Sequence, residues 1–140
     1  MIDERFEEPR SDQKLARLVR KFCVLEGRQP RAMVCRSQEF EAEEKIKEVS
    51  VDLAGFGFDV DIGVPFDSIL SLGMNAIEND VDLLILFGLE GNSGNEFVAG
   101  LKTFFSEKGY ADLLILSHSR DFSSDDFKES LTAWLGQTLQ

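Results

Sequence analysis

The sequence predicts an α/β domain built on an open parallel sheet, and three observations lead there. Short apolar runs alternate with amphipathic segments of about ten to fifteen residues, the pattern of strands joined by right-handed crossover helices. One run, Asp82-Leu83-Leu84-Ile85-Leu86-Phe87, is apolar on both alternating faces, as a central strand covered by helices on both sides must be. Another, Phe58-Asp59-Val60-Asp61-Ile62, alternates apolar and acidic residues and reads as a half-buried edge.

The elements follow in order. Residues 1–10 hold four acids, two Arg and Pro9 without an apolar period, and read as a disordered tail. A helix starts at Ser11 or Asp12, with Leu15, Leu18, Val19 and Phe22 as a stripe on one side; Gly27 and Pro30 end it, so residues 11–28 form an N-terminal helix and linker. A short strand, Ala32 to Cys35, precedes a polar helix from Glu39 to Ala54 whose narrow apolar face is Phe40, Ile46, Val49 and Leu53. After the edge strand comes a helix from Ser68 to Asn79, with Ile69, Leu72, Ala76 and Ile77 inward, and then the central strand. Gly88 to Asn95 reads as a loop, Glu96 to Lys108 as a helix and Leu113 to Leu116 as the last strand; His118 lies in the loop beyond it. A final helix spans Ser124 to Leu139 with Phe127, Leu131, Trp134 and Leu135 facing in.

A chain of 140 residues is long enough to bury one core without disulfide or metal staples, and 43% apolar with 29% charged residues is ordinary for a folded domain. Fifteen Lys plus Arg against 26 Asp plus Glu leave a net charge of −11, which argues against nucleic acid and membrane partners. Cys23 and Cys35 form neither a metal-ligand nor a redox spacing and read as buried small hydrophobes. No secretory apolar region follows the start, and Val81 to Leu89 is about half a membrane span, so a cytoplasmic protein is expected.

Three stretches carry a resemblance: Gly27-Arg28-Gln29-Pro30-Arg31, Gly57-Phe58-Asp59-Val60-Asp61-Ile62-Gly63 and Ala76-Ile77-Glu78-Asn79-Asp80-Val81-Asp82. Together they resemble the cobalamin-binding domain of methylmalonyl-CoA mutases, over residues 27–117. The resemblance implies a flavodoxin-like three-layer fold for residues 29–140, with the ligand at the carboxyl ends of the strands. It also implies three features that hold cobalamin. In the Asp-x-His-x-x-Gly loop after the first strand, where the imidazole coordinates cobalt, this chain has Phe40, Ala42 and Lys45. Where the family has Ser-x-Leu beside the nucleotide channel, it has Phe87-Gly88-Leu89; where the family has a Gly-Gly pair, it has His118-Ser119. About twenty residues remain where the family adds a strand and a helix, so one strand is expected to be missing.

Other candidates have plainer readings. His118 as a substitute cobalt ligand, with Asp121 as its orienting acid, is set against an ordinary partly exposed loop histidine. Gly91, Asn92, Ser93, Gly94 and Asn95 form a possible ligand loop, because glycines before a helix expose N–H groups to an anion; the spacing fits no phosphate fingerprint, and turn chemistry is the plainer account. Asp59 and Asp61 share one strand face and read as solvated rather than as an acid–base pair, while Phe87-Gly88 stand where a response-regulator fold would place its phosphoacceptor Asp. Glu39, Glu41, Glu43 and Glu44 form a solvated helix face or a surface for a basic partner. The ring pairs Phe56-Phe58 and Phe104-Phe105 fall partly on core and partly on interface.

The expected function is non-catalytic: a cobalamin-binding-like domain that has lost cobalamin, with no cofactor or metal, serving as an interaction or accessory module. Its partner would be a mutase catalytic subunit or a second copy, met through the first helix's stripe or the strand edge left by the missing strand. The alternative is an accessory subunit of an acyl-CoA mutase, an isomerase, that binds a small ligand or cobalamin in the altered cleft. An independent enzyme is disfavoured, since no nucleophile–base pair or metal cluster is evident.

Overall fold

The computed structural model describes residues 11–41, 43–118 and 124–139, apart from the side chains of Ser11, His118 and Ser124. The expected tail lies outside these residues. In chain order the elements are α1 (Ser11–Glu26), β1 (Arg31–Arg36), α2 (Glu43–Gly55), β2 (Asp59–Ile62), α3 (Ile69–Glu78), β3 (Leu83–Phe87), α4 (Gly91–Glu107), β4 (Leu114–His118) and α5 (Ser124–Thr138). All strand pairings are parallel, as the alternation predicts, and the strand order is β2-β1-β3-β4, that of the flavodoxin-like fold which the resemblance implies.

Burial follows side-chain parity. Every residue of β3 is buried, since it has strands on both sides and helices on both faces. Val34, Ile85 and Phe87 join α1, α2 and α5 in one core cluster; Met33, Cys35, Leu84 and Leu86 join α3 and α4 in the other. The result is a flavodoxin-like three-layer arrangement. The direction of winding reverses between β1 and β3, since β2 lies outside β1 and β4 outside β3, and the carboxyl ends of β1 and β3 border the crevice where such folds bind ligands.

The stripe of α1 is not a free docking face. Leu15, Val19 and Phe22 are buried in one cluster with Phe127, Leu131 and Leu135 of α5, and Lys128 reaches Asp12 across the same contact at 2.9 Å. Phe58 and Phe105 are buried and Phe56 and Phe104 pack against the clusters, so these rings belong to the core rather than to an interface. Cys35 is buried as expected, whereas Cys23 is only partly so.

Several element boundaries differ from the sequence reading. Helix α2 begins at Glu43, not Glu39, because Ser37 to Phe40 turn back on themselves under Arg36. Strand β2 starts at Asp59, because the Phe58 N–H still caps α2 through the Leu53 carbonyl. Helix α4 begins at Gly91, so Gly91 to Asn95 are its first turns rather than a loop; Gly94 N–H donates to the Glu90 carbonyl at 3.1 Å. Leu113 belongs to the turn before β4, its N–H on the Tyr110 carbonyl, and His118 is the last residue of that strand.

Two of the three stretches that carry the resemblance stitch the amino-terminal end of the sheet. Arg28 forks onto Asp82, Nη1 to Oδ2 at 2.7 Å and Nη2 to Oδ1 at 3.0 Å. The Arg31 N–H also donates to Asp82, and its guanidinium reaches Asp80 at 2.9 Å. Hydrogen bonding to Asp82 is the main reason that the Arg28 pKa lies above its ordinary value. With side chains 31% and 19% exposed, the Arg28–Asp82 pair is sheltered enough to matter. Asp82→Ala is expected to cost about 1.5–3 kcal/mol in a urea melt, as for hydrogen bonds to charged groups. A loss below about 0.5 kcal/mol would place the pair with screened surface ion pairs.

Candidate functional site

The carboxyl end of the sheet is where a ligand would sit, and its floor is made by the ends of β1 and β3. Their register sets Arg36 opposite Phe87, so the residues just beyond, Ser37 and Gly88, become neighbours. Ser37 N–H donates to the Phe87 carbonyl at 3.0 Å, and Gln38 N–H to the Phe66 carbonyl at 3.1 Å. The turn after β1 is thereby pinned to β3 and to the segment after β2.

Arg36 holds that turn from below. Its Nη1 donates to the carbonyls of Ser37 and Gln38 at 3.2 Å and of Phe40 at 3.0 Å, while Phe40 N–H donates back to the Ser37 carbonyl. Phe40 is therefore not on the apolar face of α2; it is half-buried in the turn and packs against the core. Gly88 lies directly beneath it, with φ +94, and a Cβ there would meet Ser37 Oγ and stand 2.6 Å from Phe40 Cβ. Only glycine meets both demands, the backbone angle and the close approach.

The remaining candidates divide as follows. Phe87 is buried, 1% exposed, in the cluster under α1 and α5. Leu89 is half-buried against the cluster under α3 and α4. Lys45 is exposed on α2. It borders a shallow depression of about 470 Å³ with Arg36, Phe40, Glu41, Glu43 and Glu44. His118 ends β4 opposite Phe87, so it is a strand residue and not a loop one. Ala42, Ser119 and Asp121 lie outside the described residues, as does the His118 side chain.

In the segment Gly91 to Asn95, Gly94 N–H and Ser93 Oγ both donate to the Glu90 carbonyl and close the first turn of α4. Asp59 and Asp61 are exposed on the edge strand, as expected. Among the described residues, no three His, Cys, Asp or Glu side chains come together as a metal site. Burial pushes the Cys35 thiol up to about 12, with a Gly63 N–H drawing it partly down, so it stays protonated at neutral pH. No described helix is long and apolar enough to cross a membrane.

Arg36 and Ser37, the two residues that organise the turn, had no sequence signal of their own. Their role follows from strand register, which brings them to Phe87 and Gly88.

No family model matches the chain. It is 30% identical over 104 residues to the methylmalonyl-CoA mutase of Cereibacter sphaeroides, a match covering 74% of this chain and 14% of that protein. It is 37% identical over 67 residues to the methylmalonyl-CoA mutase large subunit of Porphyromonas gingivalis, 48% of this chain and 9% of the relative. Against the probable methylmalonyl-CoA mutase large subunit of Mycobacterium tuberculosis the figures are 27% over 99 residues, 71% and 13%. The chain thus corresponds to a small part of each of these mutases, at low identity.

Proposed function

We propose that this chain is a cobalamin-binding-like domain that has lost cobalamin and acts as a non-catalytic interaction or accessory module of a methylmalonyl-CoA mutase-type enzyme. The observation that carries the reading is the occupied crevice floor: Phe40 seated on Gly88, with its turn clamped by Arg36. A corrin approaching this end would meet a phenyl ring and a bonded turn.

Two further features support it. Among the described residues of the turn after β1 there is no imidazole or other good cobalt donor; Phe40 stands at one position of the family's loop motif and Lys45 at another. Phe87, where the resemblance implies a small hydroxyl beside the nucleotide channel, fills the core with its ring. The similarity to mutases and the filled floor both support this reading.

Titrating the purified protein with hydroxocobalamin and with adenosylcobalamin, followed by the visible spectrum, is expected to give no saturable shift. Saturation at micromolar protein would overturn the reading and favour a cobalamin-binding accessory subunit.

A further inference from the structure

We propose that the cavity at the amino-terminal end of the sheet is a binding site for a small organic cation, a guanidinium or ammonium group on a short apolar stem. It lies at the opposite end of the strands from the crevice, so it goes beyond the cobalamin-free reading and does not rest on it.

The fold gathers negative charge at this end. In a parallel α/β sheet the crossover helices run against the strands, so the carboxyl ends of the helices meet the amino ends of the strands. The carbonyl end of a helix carries about half a negative charge, which a basic side chain in the last turn would offset. None of α1 to α5 has one there. The cavity, of about 710 Å³, opens among these ends: Phe22 comes from late in α1, Asp80 follows α3, Tyr110 follows α4, and Gln137 and Thr138 close α5. Lys108, the cap of α4, turns over the Phe104 ring instead, and no Lys or Arg is among the lining residues.

The wall already holds one guanidinium in this way. Arg28 stands 5.2 Å from the centre of the Phe22 ring while it forks onto Asp82, and both Phe22 and Asp82 line the cavity. That pair, with Arg31 on Asp80, occupies two of the three carboxylates in the wall. The third, Asp112, is exposed and has no partner among the described residues. Trp134 and Tyr110 add two more rings, which attract a cation through their faces. The free carboxylate and these rings offer a ligand the chemistry that Asp82 and Phe22 offer Arg28. Val81, Leu113 and Leu114 supply an apolar stretch for a stem. Among the described residues the carboxylates do not converge as a metal site, which suits an organic cation. The volume is that of a small-molecule site.

Trp134 is the chain's single tryptophan and lines the cavity, so its fluorescence reports on this site. Titrating the full chain with butylguanidinium at low salt is expected to change that emission saturably, with half-saturation at about 1 mM or below. Butylurea, the neutral isostere, should give no saturable change. Asp112→Asn, at an exposed turn residue, should raise the half-saturation about fivefold, by removing a charge-assisted hydrogen bond. Asp59→Asn, on the exposed edge strand, should leave it within about twofold. The absence of a saturable change overturns the proposal, as does equal binding of butylurea. Equal weakening by the two variants also overturns it, because the cation would then be drawn only by the net charge of −11. So does tighter binding of Ac-Gly-Arg-Gly-NH2, which would make the arginine of a partner protein the occupant. Cobalamin spectra are read separately, so failure here and failure of the cobalamin-free reading remain distinct outcomes.

Discussion

Phe87→Ala is expected to lower the unfolding free energy by about 3–5 kcal/mol, through lost transfer energy plus the cavity left behind. The ring is 1% exposed and lies in one cluster with Val34, Ile85 and Phe127. Its backbone is fixed at the end of the central strand, where the carbonyl accepts from Ser37 and the residue pairs with Arg36 on one side and His118 on the other. Neighbours held in a sheet relax little into a void, so the upper half of the range is the better expectation. Phe87→Leu keeps most of the volume and should cost less than about 1.5 kcal/mol. Urea melts of the two variants against the parent separate packing from a general intolerance of change at the site. A loss near 1 kcal/mol for the alanine variant is the value for an exposed position. It would mean that the ring lines an open cleft with room beside the end of β3.

The burial of Phe87 was legible in the sequence because it closes an apolar run with no polar alternation. The edge character of β2 was legible for the same reason, since it too depends on a pattern within one segment, whereas the strand order came with the fold that the resemblance implies. What escaped depends on residues far apart in the chain. The stripe of α1 looks unpartnered until α5, at the other end of the chain, folds onto it. Phe40 looks like a helix residue until Arg36 draws the preceding carbonyls into a turn. Gly91 to Asn95 look like a loop because glycine and short polar residues favour turns, but the Glu90 carbonyl starts the helix there. Of the candidate site, the sequence shows which residue types stand in the turn after β1. The contact between Phe40 and Gly88 was not legible, because they meet only through the register of β1 on β3. Arg28, Arg31, Asp80 and Asp82, from two of the three stretches that carry the resemblance, work at the opposite end of the sheet and hold the scaffold there.

Gly88→Ala is expected to cost about 2–4 kcal/mol, combining backbone strain with overpacking. With φ +94 the residue sits where L side chains rarely go, and the new methyl would stand 2.6 Å from Phe40 Cβ and 2.9 Å from its Cγ. The stem of Phe40 has little freedom to withdraw, because its carbonyl is held by Arg36 and its N–H by the Ser37 carbonyl. Strain and clash are separable. In the double variant Gly88→Ala with Phe40→Ala, the backbone term persists while the contact with the ring carbon is relieved. The two losses should then fall short of additivity by about 1 kcal/mol, within the range seen for touching residues. Urea melts of the parent, both single variants and the double variant form the cycle that measures this. Additivity within about 0.5 kcal/mol is the behaviour of independent sites. It would show that the Phe40 ring adds nothing to the clash, which would then lie with Phe40 Cβ, kept in the alanine variant, and with Ser37 Oγ.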